Sequence, residues 1–67
     1  MSAIEEICKE RIEIKETTQA KIQFKADYFT ALQEFNSQHL GQLYSLDYAI
    51  SWITRYLVKH YDYQPRK

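Results

Sequence analysis

Apolar and polar positions alternate at helical spacing most clearly in the last third of the chain. Across residues 45–63, SLDYAISWITRYLVKHYDY, the side chains of Leu46, Ala49, Ile50, Ile53, Leu57, His60 and Tyr61 fall on one side of a helical wheel, the i, i+3, i+4, i+7 pattern of an amphipathic helix. Ser45 is placed to cap such a helix, and Asp47 in its first turn suits the positive end of the dipole. Pro65 stops any continuation, so the pattern predicts a helix over about residues 45–62. Its other side is unusual. Tyr48, Trp52, Arg55, Tyr56, Lys59 and Tyr63 form a stripe of flat rings with two cations between them, where a solvated helix would carry Glu, Lys and Gln.

Toward the N-terminus, Ser2 followed by Glu5 fits a capping box, which starts a helix near Ala3. From there Ile4, Ile7, Cys8, Ile12, Ile14, Thr18, Ile22, Ala26, Phe29 and Leu32 keep to one broad face. This predicts a single helix over about residues 3–35, roughly 50 Å long. Its middle is weak, because Arg11, Lys15 and Gln19 intrude on the apolar face and Thr17 and Thr18 are poor helix formers. Residues 12–24 therefore also read as a β-hairpin, with Ile12 and Ile14 facing Ala20, Ile22 and Phe24 across a turn at 16–19. The helix is preferred, since that turn lacks the Gly or Asn of tight hairpin loops. Beyond Gln23 a second apolar row appears, Phe24, Tyr28, Ala31 and Phe35, opposite Ile22 and Phe29. One partner helix cannot cover both rows.

A turn between positions 36 and 44, around Gly41, joins the two helices. The predicted fold is all-α: one domain over residues 1–67, a helical hairpin with a long first arm, a shorter second arm and a short basic tail at 64–67. The shorter arm leaves much apolar surface bare, and monomers rarely expose contiguous patches beyond a few hundred Å². Two hairpins closing into a dimeric helical bundle would bury it. Tyr48, Trp52, Arg55, Tyr56, Lys59 and Tyr63, together with Phe24, Tyr28 and Phe35, are the residues assigned to an oligomer or partner interface.

Composition narrows the function classes. Nine Lys and Arg balance nine Asp and Glu, which leaves no overall attraction to polyanions. One cysteine, Cys8, excludes an internal disulfide and a cysteine-based zinc site. With no signal peptide evident, the free thiol fits a cytoplasmic setting. No apolar run approaches the ~20 residues of a membrane span. Cys8 has no histidine within helical reach, no histidine pair stands at metal-binding spacing, the glutamates Glu5, Glu6, Glu10, Glu13 and Glu16 read as a solvated face, and a single Gly cannot build a phosphate-cradling loop. His39 reads as a solvated turn residue. Neither catalysis nor a cofactor is expected. The reading is a non-enzymatic protein that self-associates and binds another protein as a regulator, inhibitor or adaptor, because Trp, Tyr and Arg dominate binding energy at such contacts. The alternative is a small nucleic-acid-binding regulator that stacks single-stranded bases on the rings.

Overall fold

The first helix stops at Arg11 rather than near residue 35. A computed structural model of the chain describes residues 3–66, and among them α1 spans Ala3–Arg11, β1 is Ile12–Glu13, α2 is Thr18–Gln38, α3 is Leu46–Tyr61 and β2 is Gln64–Pro65. The architecture is mostly helical, with three helices in place of the predicted hairpin. Its greatest dimension among the described residues, 37 Å, could not hold the ~50 Å helix that the periodicity suggested. The break falls where Arg11, Lys15 and the two threonines spoilt the apolar face. Thr17 is extended (φ −95°, ψ 152°), and its side chain accepts a hydrogen bond from the Ala20 amide as the N-cap of α2. A residue that weakens a helix interior is thus used to start one.

Ile12 is extended, as the hairpin alternative required, but its partner is different. β1 pairs antiparallel with β2, Ile12 opposite Pro65 and Glu13 opposite Gln64, whereas residues 20–24 are helical. The backbone N–H of Arg66 donates to the carbonyl of Arg11 at 2.8 Å. Residues 64–66, the start of the basic tail, are therefore tied to the body of the fold. Lys67 and the proposed Ser2 cap lie outside the described residues.

The break turns α1 back onto α3. The Thr54 hydroxyl donates to Cys8 Sγ at 3.5 Å, and the Cys8 thiol in turn reaches the Ile50 carbonyl at 3.8 Å. α3 packs against both α1 and α2 and so forms the centre of the fold. Its limits match the prediction closely, with Ser45 as N-cap accepting from the Tyr48 amide at 3.1 Å. At its other end Asp62 takes a left-handed conformation (φ 59°), which Asp tolerates better than most residues. The chain there turns Tyr63 toward α2.

The core consists of Cys8, Ile12, Phe24, Tyr28, Ala31, Phe35, Ala49, Ile50, Ile53 and Leu57. On α2 this inverts the predicted faces. Phe24, Tyr28, Ala31 and Phe35 are buried, whereas Ile22 and Phe29 are 65% and 59% exposed. The aromatic row has more apolar surface to hide, about 150–250 Å² per ring, and it wins the inward side. Phe24, Tyr28 and Phe35 are thus covered within the chain, which corrects their assignment to a partner interface. No helix among the described residues is long and apolar enough to cross a membrane.

Candidate interaction face on the third helix

Four rings climb α3 at i, i+4 spacing: Tyr48, Trp52, Tyr56 and His60. Trp52 and Tyr56 stack, with centroids 5.4 Å apart and planes at 16°. Tyr56 lies 4.3 Å from His60 on the next turn. Trp52 meets Phe35 edge to face at 5.3 Å, which anchors the ladder to the core. At its lower end His39, the C-cap of α2, stacks on Phe35 at 4.2 Å and sits 5.7 Å from Trp52. Its Nδ1 is 2.8 Å from the Phe35 carbonyl and its Nε2 is 3.0 Å from the Tyr48 hydroxyl. A carbonyl only accepts, so Nδ1 carries a proton and donates to Phe35, while Nε2 shares a hydrogen bond with the Tyr48 hydroxyl. His39 is thus half-buried and bonded on both nitrogens, not a solvated turn residue.

The ladder forms one wall of a shallow groove of about 350 Å³ between α2 and α3, with Arg55 and Lys59 beside Trp52, Tyr56 and His60, and Glu34 and Gln38 on the α2 side. Gln38 donates to Glu34 at 3.4 Å along α2. Arg55 and Lys59 are exposed, and the one salt bridge found among the described residues joins Lys21 to Glu16 instead. Two cations are thus left open to solvent beside a ring surface. The Tyr56 phenol is held above its ordinary value by desolvation first, then by neighbouring Tyr61 and Glu34. It stays a hydrogen-bond donor over the neutral range.

Of the stripe read from sequence, Tyr48, Trp52, Arg55, Tyr56 and Lys59 are brought together, and Tyr63 is not. Beyond Asp62 its ring packs edge to face on Phe24 at 6.1 Å, and its hydroxyl donates to Asp27 Oδ2 at 2.7 Å. Asp27, only 8% exposed, also accepts from the Gln23 side chain at 3.0 Å. Desolvation, followed by the bond to Asp27 and its charge, pushes the Tyr63 phenol well above the usual tyrosine range. This pair latches the C-terminal segment to α2 beside a second cleft of about 520 Å³ lined by Glu13, Gln23, Asp27, Tyr61 and Tyr63 among others. Asp27 was missed in the sequence. Its signal was a lone acid at a core position of the row Phe24, Tyr28, Ala31 and Phe35.

A third feature adjoins the ladder. In and after the turn between α2 and α3, Leu40 is 79% exposed, Leu43 fully so, Leu46 52% and Tyr44 and Tyr48 47% each. Gly41, at φ 73°, shapes this turn. Cys8 offers no comparable chemistry: it is fully buried, and desolvation raises its thiol above the ordinary value, only partly offset by Thr54 and Arg11. An enclosed, protonated thiol is a poor nucleophile. No cluster of three metal-ligating side chains occurs among the described residues. No protein-family model matches the chain, and neither a curated protein nor a solved structure does.

Proposed function

We propose that the chain is a non-enzymatic interaction module that pairs with its own copy through the turn at residues 40–46 and presents the ring-and-cation face of α3 to a second protein, as a regulator, inhibitor or adaptor. The observation that carries this reading is the exposure of Leu40, Leu43 and Leu46 next to an exposed tyrosine pair, Tyr44 and Tyr48. Residues 40–46 contain no charged side chain, so this patch can meet its own copy across a two-fold axis without like-charge repulsion. The α3 face is less suited to that role, because Arg55 and Lys59 would meet their own copies wherever they lie near the two-fold axis. Its composition suits a different protein, since half-buried Trp52 and Tyr56 beside exposed Arg55 are of the residue types that most often dominate binding energy at heterologous contacts. The single buried thiol is compatible with a cytoplasmic setting.

Ring geometry favours a protein over single-stranded nucleic acid at this face. Base stacking requires free ring faces, and Tyr56 is flanked by Trp52 at 5.4 Å and by His60 at 4.3 Å. Affinity capture from the native cell, with the wild-type chain and Tyr56→Ala as baits and nuclease in the lysate, tests the proposal. A nuclease-resistant protein partner should be retained by wild type and lost by the variant. Capture that disappears with nuclease, or a partner indifferent to Tyr56→Ala, would refute it.

A further inference from the structure

We infer that the groove between α2 and α3 receives an extended acidic segment of the partner, with carboxylates at alternate positions on Arg55 and Lys59 and an apolar side chain against Trp52 and Tyr56. This rests on the protein-binding reading and specifies the chemistry of what is bound.

Charge complementarity is the first ground. The α3 rim carries two exposed cations with no ion-pair partner among the described residues, while the α2 rim carries a single carboxylate, Glu34, tied to Gln38. An acidic chain is drawn to the α3 rim and repelled from the other, which fixes its track. Spacing is the second ground. Arg55 and Lys59 stand one helical turn apart, about 6 Å, and alternate residues of an extended chain lie about 6.6 Å apart on one side. Carboxylates at i and i+2 therefore match the two cations in register, with Arg55 able to grip one in a bidentate fork. Size is the third. From Trp52 to His60 the groove follows eight helical rises of α3, about 12 Å, the length of three to four extended residues. Its volume of about 350 Å³ suits one seated side chain and its flanking backbone. The Tyr56 hydroxyl, which remains a donor, supplies a further contact for a carboxylate.

Trp52 is the one tryptophan of the chain, so its fluorescence reports on this groove directly. The full-length protein is titrated with a blocked hexapeptide of alternating glutamate and leucine, with its glutamine counterpart, and with oligothymidylate. The glutamate peptide should give a saturable change in Trp52 emission that weakens in high salt and falls about tenfold or more in Arg55→Gln/Lys59→Gln, as expected for loss of a charge-assisted pair. Both positions are exposed, and circular dichroism confirms that the variant keeps its helices. Equal binding of the glutamine peptide, binding unchanged by the double variant, or no binding of either peptide at millimolar concentration overturns acidic recognition. Those results leave the protein-binding reading standing if Tyr56→Ala still loses the captured partner. A response to oligothymidylate alone overturns both.

Discussion

Phe35→Ala separates a core ring from an interface ring. Phe35 is 1% exposed and lies between His39 (4.2 Å), Tyr44 (4.7 Å) and Trp52 (5.3 Å). Removing a ring so enclosed costs about 3–5 kcal/mol, from lost transfer energy and the cavity left behind. The whole stability of a 67-residue chain is roughly 3–10 kcal/mol, at about 0.05–0.15 kcal/mol per residue. The variant should therefore lose at least about a third of that stability at the upper end of the range and all of it at the lower end. In urea, with a slope near 1 kcal/mol per molar for so small a protein, the midpoint should fall by about 3 M or the transition vanish. Far-ultraviolet circular dichroism at two protein concentrations a hundredfold apart makes the test specific. A core ring gives the same loss at both. A ring buried only by a partner copy would give a loss that changes with concentration, by up to about 2.7 kcal/mol over that range. A concentration-dependent loss, or one no larger than that of Phe29→Ala, would refute the placement of Phe35 inside the chain. Phe29 is 59% exposed, and its truncation should cost within about 0.5 kcal/mol.

Other consequences are smaller and equally measurable. Tyr63→Phe deletes the 2.7 Å bond to buried Asp27 and should cost about 1–3 kcal/mol in urea melts, because a carboxylate oxygen loses its donor. The folded phenol holds its proton more tightly than the unfolded one, whose ordinary value is 10.0. The stabilisation is therefore full below about pH 10 and drains as pH rises past it toward the folded value; Tyr63→Phe should flatten that alkaline limb, and an unchanged limb would count against the latch. Thr17→Ala removes the cap of α2 and should lower stability by about 1 kcal/mol, whereas a neutral result would mean that the break is held by the β1–β2 pair alone. Cys8, fully buried with a raised thiol, should react with a disulfide reagent far more slowly in buffer than in urea; equal rates would contradict its enclosure.

How much of this was legible in the chain differs between elements. α3 was readable nearly to the residue, because a capping serine, one unbroken apolar face and a following proline all agree on its limits. α1 and α2 were fused because their apolar positions share one continuous phase. The signals of the break, Arg11, Lys15, Thr17 and Thr18, were visible but each weak alone. What decides for the break is a contact distant in sequence, the pairing of Ile12–Glu13 with Gln64–Pro65, which no local window contains. The inward face of α2 is obscured for a related reason. In a collinear helix the Ile22 and Phe29 row continues the Ile4 to Ile12 row, and only the break frees α2 to choose its aromatic side. Within the candidate face, five of six stripe residues fall together as their spacing implied. Tyr63 departs because the left-handed turn at Asp62 ends the helical phase two residues earlier than the stripe assumed. The roles of His39 and Asp27 depend on tertiary neighbours, although the position of Asp27 within an aromatic row was a usable hint.

The division of labour between the apolar turn and the α3 face is tested most directly by sedimentation equilibrium of the wild-type chain beside Leu43→Asp, a change at a fully exposed position. Wild type should approach twice the 8.1 kDa chain mass as concentration rises, while the variant remains single, keeps its helical content and still binds the glutamate peptide at Trp52. A wild-type chain that stays at the single-chain mass throughout, or a Leu43→Asp variant that pairs as well as wild type, would contradict the account.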